Sequence, residues 1–231
     1  MLHSIPMSWA TPVLRAVGLD WKSRGRRANL RTFRDLIACT NNFATMRWLG
    51  HPIWQNVLDL WTIQETLAEV RPALLIEGGT HRGGSALFYA HLFDLMNHGR
   101  VITVDIERIH DLKHPRIEAF TASALDVVLV ERLRREASRA QGAVMVILDD
   151  NHTAAHVRQE MEMYAPMVTP GSFLIVQDGL IDTLPGFGNP PGPLVAIREF
   201  LQTHAEFEVD RAKSERFPFT HHPSGWLRRH S

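Results

Sequence analysis

A glycine-rich turn between an apolar run and a helical pattern limits the fold of this chain more than any other feature. Residues 73–76 are apolar, Glu77 follows, and four glycines lie within IEGGTHRGGS before apolar residues recur at helical spacing over residues 85–96. Glycine suits such a turn because side chains would block close approach of a ligand, and because some turn positions need positive φ. The pattern predicts a nucleotide-binding βαβ unit, with a plain βαβ turn as the alternative.

The next predicted strand, residues 101–104, closes on Asp105, 21 positions after Gly84. An acidic residue there can accept hydrogen bonds from both hydroxyls of a ribose, in NAD or in S-adenosylmethionine (SAM). Two observations favour SAM: the glycine spacing departs from G-x-G-x-x-G, and a charged Glu77 would be unfavourable beside a diphosphate. A carboxylate beside the sulfonium and amino group of SAM is favourable. An NAD-dependent oxidoreductase is the alternative.

Length and composition restrict the class of protein. The chain has 231 residues, enough for one α/β domain with a modest N-terminal extension. Lys plus Arg and Asp plus Glu both number 25, so the charge gives no support to a nucleic-acid partner. Cys39 stands alone, which rules out an internal disulfide and fits the cytoplasm. Neither a signal peptide nor a membrane span is predicted.

The helices before the glycine turn are predicted from periodicity. Residues 29–41 show one apolar face, and residues 57–70 are predicted to form a helix with Leu60, Trp61 and Ile63 among its inward-facing residues. The same interpretation assigns packing roles to Trp54 and Trp61.

Acidic residues follow two further predicted strands. Residues 144–148, VMVIL, indicate a central strand buried on both faces, which ends at Asp149, and SFLIVQD indicates a fifth strand ending at Gln177 and Asp178. Because parallel strands bring their carboxyl ends to one rim, Asp149 and Asp178 are expected to converge.

Two aspartates, helped by the amide oxygen of Gln177, suit a divalent cation such as Mg²⁺. A cation there could lower the pKa of a bound hydroxyl. His152, three residues after Asp149, is placed to remove the proton, since the ordinary pKa of histidine is near neutrality. The alternative is that residues 149–151 merely cap the following helix.

Three other segments of the sequence suggest a ligand contact, a lid or an exposed pair of histidines. Ser123, after the third predicted strand, could bond the edge of an adenine, or Ser123 or Asp126 could cap the next helix. Residues 179–193 are rich in Gly and Pro and are interpreted as a substrate lid. His221 and His222 lie between the last two predicted strands, where exposure is favoured over metal binding.

These stretches resemble a known family. DLWTIQETLAEVRP, IEGGTHRGGSALF, VITVDI, TASALD, VMVILDDNHT, SFLIVQD, VAIREFL and HPSGWLRR are similar to the cephalosporin hydroxylase and rhamnosyl O-methyltransferase group of class I SAM-dependent methyltransferases. The resemblance covers residues 48–229. Relatives commonly carry Glu-Asp where this chain has Gln177-Asp178, which is expected to weaken cation binding because one charge is lost.

The resemblance implies an α/β fold with a doubly wound, mostly parallel, seven-stranded Rossmann-like sheet, assigned here to residues 47–231. The sequence before it, residues 1–46, is predicted to form a helical N-terminal extension. It also implies catalysis by Asp149 and His152 and a magnesium site at Asp149 and Asp178. The argument from the strand ends adds Gln177 to the predicted metal ligands. The residues predicted to bind SAM are Glu77, Gly78, Gly79, Thr80, Gly83, Ser85, Asp105, Ile106, Ser123 and Asp149.

The predicted activity is O-methylation of a small natural product or a sugar moiety by a homo-oligomer, since relatives form multimers. The alternative from another class is a SAM-binding accessory subunit with little activity of its own, which supports a partner enzyme. The altered Gln177 and the N-terminal arm motivate that alternative.

Overall fold

The computed structural model describes residues 45–183 and 188–230. The predicted helix over residues 29–41, and the predicted extension except its last two residues, lie outside this part. The described α-helices are α1 (Val57–Val70), α2 (Gly84–Met96), α3 (Val127–Arg139), α4 (Ala154–Tyr164), α5 (Pro193–Phe200) and α6 (Arg211–Ser214). Among the described helices, none is both long and apolar enough to cross a lipid bilayer.

Nine strands are described, and seven of them form one sheet. The strands are β1 (Arg47–Trp48), β2 (His51–Pro52), β3 (Leu74–Gly78), β4 (Arg100–Asp105), β5 (Ile117–Thr121), β6 (Val144–Leu148), β7 (Phe173–Val176), β8 (Phe207–Val209) and β9 (Trp226–Arg229). The order across the sheet is β5-β4-β3-β6-β7-β9-β8, while β1 and β2 form a separate hairpin. Strands β3 to β7 are parallel, and β9 is antiparallel to both neighbours. The predicted doubly wound sheet is therefore confirmed.

The strand order reverses between β3 and β6, which makes this the switch point of the sheet. Gly78 at the end of β3 pairs with Leu148 at the end of β6, and the Asp149 amide donates to the Gly78 carbonyl oxygen at 2.9 Å. Ligands of open α/β sheets bind in the crevice outside the carboxyl ends of the strands at such a point.

Both faces of the sheet are covered, because alternate residues of each strand point to opposite sides. One face packs against α3, α4 and α5, with Leu74 and Ile76 of β3 in that core. The other packs against α1 and α2, with Leu75 in that core. Continuous burial explains why the strands read as unbroken apolar runs in the sequence.

The predicted inward face of α1 is wrong at Trp61, which is 57% exposed. Polar residues share the buried side of α1 with Leu60 and Ile63, because their side chains have hydrogen-bond partners there. The hydroxyls of Thr62 and Thr66 donate to the carbonyl oxygens four residues earlier, and Asp59 accepts from Thr220 and from the His221 amide. Trp61 consequently lies outside, where its indole donates to Glu65. Trp54, also predicted to pack, is 56% exposed.

The described part of the predicted lid is held at both ends. Residues 179–182 form a short 3₁₀ helix, and the Asp182 carboxylate accepts hydrogen bonds from the amides of Gly192 and Leu194. The same carboxylate lies at the N-terminus of α5, where an acidic group is stabilising. The function of this segment as a lid stays a prediction.

Candidate active site

A cavity of about 530 Å³ lies outside the carboxyl ends of the central strands, within the size range of small-molecule sites. Nine of the predicted site residues line it, namely Gly79, Thr80, Ser85, Asp105, Ile106, Ser123, Asp149, His152 and Asp178. Four others, Glu77, Gly78, Gly83 and Gln177, are not among its lining residues. The cavity therefore collects most of the predicted residues at the switch point.

Glycines shape the floor of the cavity. Gly79 has φ +95°, and a Cβ atom there would lie 2.1 Å from the carbonyl oxygen of Asp149. Gly83, at φ +81°, precedes α2 in the left-handed conformation that glycine adopts without strain. The turn after β3 thus packs directly against the turn after β6. Gly78 ends β3 and Gly83 precedes α2, so both belong to the turn that forms the floor, but neither lines the cavity.

Glu77 is buried below the cavity. Its carboxyl accepts a hydrogen bond from the Thr103 hydroxyl, and its side chain is 1% exposed. Burial raises the pKa of Glu77 to about 8, against the opposing hydrogen bonds from Ser85 and Thr103. The protonated form therefore predominates at pH 7. The prediction that a negative charge on Glu77 disfavours a diphosphate is wrong in its physical reason. The carboxyl of Glu77 is mostly neutral, and it does not line the cavity.

The raised pKa of Glu77 makes stability depend on pH. Between the ordinary carboxyl pKa and about 8, the unfolded chain loses this proton while the folded chain keeps it. The free energy of unfolding should fall by up to about 1.4 kcal/mol per pH unit from this group. We expect Glu77→Gln to remove that part of the slope in urea unfolding between pH 5 and 8. Glu199→Gln, on the exposed side of α5, is the control and should keep the wild-type slope; an unchanged slope in Glu77→Gln contradicts the assignment.

Asp105 is oriented by the backbone around it. Its carboxylate accepts from the His81 amide at 2.7 Å and from the Glu107 amide at 3.0 Å. A carboxylate oxygen has more than one acceptor position, so capacity for ribose hydroxyls remains. Ile106, the next residue, is 72% exposed in the cavity wall.

Ser123 lies on the wall predicted for the adenine. Its hydroxyl oxygen accepts from the Leu125 amide at 3.2 Å. The cap of α3 is Asp126, which accepts from the Leu129 amide at 2.8 Å. Of the two residues predicted as possible caps of α3, Asp126 is therefore the one that caps the helix. Ser123 lines the cavity.

Asp149, His152 and Asp178 converge on one point. Each offers one ligand atom within 4.8 Å of the others, and His152 Nε2 lies 3.4 Å from carboxylate oxygens of both aspartates. The alternative that Asp149 caps α4 is not supported, because Thr153 is the N-cap residue and its amide donates to Asn151. The predicted convergence of the two strand ends is observed. The two converging carboxylates fit a divalent cation, and the imidazole beside them offers a nitrogen that could accept a proton.

The charges of the aspartates control His152. Burial lowers its pKa, but the hydrogen bond with Asp149 and the negative charge of Asp178 outweigh burial and raise the pKa of His152 to about 9. The imidazolium form, which cannot accept a proton, is therefore favoured at neutral pH. A cation shared by the two carboxylates would offset their field and lower this pKa, so the predicted base requires the predicted cation.

Four residues that support the two aspartates, directly or through a neighbour, were not predicted to do so. Gln55 Nε2 donates to Asp149 Oδ2 at 2.5 Å. The Asp178 amide donates to His222 Nδ1 at 3.0 Å, and His221 Nδ1 lies 3.6 Å from Asp178 Oδ1. Asp59 in turn accepts from the His221 amide at 2.8 Å. The predicted exposure of the two histidines is wrong, since they are 5% and 1% exposed.

These contacts act on the charge of Asp178. Burial raises its pKa, but the hydrogen bond from His221 and the positive charge of His152 outweigh burial and lower the pKa of Asp178. Asp178 is thereby kept ionised, as a ligand to a cation must be. The adjacent HH pair in the sequence was the only available signal for this role.

The structure does not bring Gln177 to the two aspartates. Its side chain is 1% exposed and lies beside Tyr89 of α2. This position follows from strand alternation, since Phe173 and Ile175 face the same core. The prediction that its amide oxygen is a metal ligand has no geometric support.

The sheet order and the cavity at its switch point define the fold of a SAM-dependent methyltransferase. Residues 40–230 match the family model "Rhamnosyl O-methyltransferase/CmcI". Rhamnosyl O-methyltransferase of Mycobacterium tuberculosis H37Rv is 32% identical over 191 residues, 78% of this chain and 76% of that protein. The protein of the same name from Mycobacterium leprae is 34% identical over 194 residues, 79% of this chain and 82% of the relative.

Solved structures agree on the fold. The structure named "cmcI-D160 Mg-SAM" has a TM-score of 0.66 and 18% identity, with 82% of this chain and 78% of that chain covered. "CmcI-N160 apo-structure" has a TM-score of 0.65 and 20% identity over the same shares. The chain belongs to the rhamnosyl O-methyltransferase/CmcI family, and it is a SAM-dependent O-methyltransferase. The predicted family and reaction class are confirmed, and the oxidoreductase alternative is wrong.

Proposed function

We propose that this enzyme methylates a sugar hydroxyl of a small glycosylated molecule, with a divalent cation such as Mg²⁺ held by Asp149 and Asp178. The observation that carries the proposal is the meeting of Asp149, His152 and Asp178 in the cavity that the glycine turn forms. Two carboxylates beside a histidine provide negative charge for a cation and a nitrogen for the proton of the acceptor.

The same geometry suggests how the chain's residues divide the reaction. A cation, when bound, makes the acceptor hydroxyl more acidic. His152 Nε2 accepts the hydroxyl proton, the acceptor oxygen forms a bond to the methyl carbon, and the bond from that carbon to sulfur breaks to release S-adenosylhomocysteine. Gln55 and the His221–His222 pair keep the carboxylates of Asp149 and Asp178 in place. Positioning of donor and acceptor supplies a large part of the rate.

The donor occupies the rest of the cavity in this proposal. The Asp105 carboxylate accepts hydrogen bonds from the ribose hydroxyls. Ile106 and Ser123 contact the adenine. The methionine portion of SAM is surrounded by Gly79, Thr80 and Ser85. Glu77, Gly78 and Gly83 contribute by holding the shape of the turn. Residues 47–231 form the methyltransferase domain, and residues 1–46 are the extension that precedes it.

Two observations support a sugar as the acceptor. The relatives at 32% and 34% identity are both named rhamnosyl O-methyltransferase. Trp54, at the edge of the cavity and next to Gln55, exposes 56% of its surface, and a pyranose ring can pack on such a flat aromatic face. One of the two motives for the accessory-subunit alternative is weakened, since the side chain of Gln177 lies away from the proposed metal ligands.

The test is a methyl-transfer assay with the full chain, SAM and a panel of rhamnosides, other glycosides and catechols. We expect glycoside methylation with Mg²⁺, a fall of at least about tenfold with EDTA, and recovery when Mg²⁺ is added back. The SAM affinity, measured by calorimetry, is the control and should hold in EDTA. Methylation of catechols alone would reject the sugar, and EDTA-resistant turnover would reject the cation.

A further inference from the structure

A second group of ligand-type side chains lies behind the first. Asp150, His156 and Glu160, here the second cluster, place one ligand atom each within 4.8 Å of the others. His156 Nε2 is 3.4 Å from Asp150 Oδ2 and 3.8 Å from Glu160 Oε2. His156 and Glu160 are four residues apart on α4, which puts both on one helix face, and Asp150 faces them from the turn after β6.

Glu160 has no use in the methyl transfer derived above. Its side chain is fully buried, and within residues 45–183 and 188–230 no donor group gives either carboxylate oxygen a hydrogen bond. Oε1 points to the base of the glycine turn, where a Cβ atom on Gly78 would be 3.3 Å away. A buried carboxylate without a partner is costly, so such a group calls for a compensating charge.

The surroundings of the second cluster supply little positive charge. Within the described ranges, the ion pairs of Asp150 and Glu160 are made with His156, and Asp149 adds a further negative charge that acts on Glu160. His156 Nε2 is itself buried, and it has no hydrogen-bond partner in the part of the chain that the structure describes. One imidazole therefore faces two carboxylates, and one ligand atom of each side chain lies within 4.8 Å of the others.

We propose that Asp150, His156 and Glu160 bind a second divalent cation, of the kind that accepts nitrogen together with oxygen ligands, such as Mn²⁺, Co²⁺ or Zn²⁺. Imidazole suits these ions, whereas Mg²⁺ favours oxygen ligands alone. Asp150 and His156 also line the cavity, which gives the ion a path from solvent. The ion joins the turn that carries Asp149 and His152 to helix α4, and so supports one wall of the active site from behind.

The competing arrangement is a proton shared by the carboxyls of Asp150 and Glu160. Burial and the nearby charge of Asp150 raise the pKa of Glu160 well above its usual range, which permits a protonated carboxyl there. A shared proton and a bound cation differ in what they predict for metal binding. Direct measurement of metal stoichiometry therefore separates them, independently of methyl transfer and of the proposed acceptor.

The experiment titrates metal-free, untagged full chain with Co²⁺ and follows both visible absorption and equilibrium dialysis. With excess Mg²⁺ present to compete at the aspartate pair, the wild type should retain one Co²⁺ whose spectrum indicates nitrogen ligation. Glu160→Gln and His156→Asn should each weaken that binding at least about tenfold. Asp178→Asn should leave it in place.

Glu162→Gln is the matched control, since Glu162 lies on the same helix and is half exposed in ion pairs with Arg158 and His204. It should bind Co²⁺ as the wild type does. The proposal is overturned if Co²⁺ is lost in Asp178→Asn and unaffected by Glu160→Gln and His156→Asn, or if Mg²⁺ displaces all of it. Since His156 is partly exposed, His156→Asn keeps the test decisive even where Glu160→Gln does not fold.

Discussion

Asp178→Asn is expected to lower turnover by at least about 100-fold, equivalent to about 3 kcal/mol, while the affinity for SAM changes by less than about threefold. The substitution removes one of the two charges that converge beside His152 and keeps the shape of the side chain. Asp178 has φ +56°, a left-handed conformation that asparagine tolerates well, and its backbone amide still donates to His222. The loss should therefore be chemical rather than structural.

Steady-state kinetics and calorimetry with SAM measure the two effects. Asp111→Asn, the same substitution in an exposed loop, is the control and should behave as the wild type. A second readout is the pKa of His152 by NMR, which should fall from about 9 in metal-free Asp178→Asn, because the charge of Asp178 is one of its causes. Full turnover in this variant would remove Asp178 from the reaction.

The sheet was predictable because its strands are buried on both faces. Runs such as VMVIL and FLIV carry no polar residue, and a strand so buried leaves a continuous apolar signature. The convergence of Asp149 and Asp178 was predictable for a related reason, since parallel strands in register fix where their ends meet. In both cases a local pattern determines the geometry.

The supporting contacts were not predictable because they join distant parts of the chain. Gln55 and Asp149 are 94 residues apart, and Asp59 and His221 are 162 apart. Nothing local marks Asp59 as an inward residue; its hydrogen bonds to the loop before β9 make it so and leave Trp61 outside. The neutral state of Glu77 is of the same kind, because only the packed sheet shows how completely that carboxyl is buried.

Gly79→Ala is expected to be the most damaging single-methyl change in the cavity. The new Cβ atom would lie 2.1 Å from the carbonyl oxygen of Asp149, 2.6 Å from its carbonyl carbon and 3.0 Å from the amide nitrogen of Asp150. These are backbone atoms, which cannot rotate away as a side chain would. Relief therefore requires the turns after β3 and β6 to separate, which displaces Asp149 and opens the floor of the cavity.

The positive φ of Gly79 adds a second cost, and a matched glycine separates the two. Gly171 has a similar φ of +82°, against +95° for Gly79, but a Cβ atom there would meet nothing within 4 Å. Gly171→Ala should lose only about 1 kcal/mol, the conformational cost alone. Gly79→Ala should lose at least about 3 kcal/mol of unfolding free energy in urea, together with SAM binding by calorimetry. Equal, small losses in the two variants would mean that the turns after β3 and β6 do not pack as described, and the cavity they form would have to be placed elsewhere.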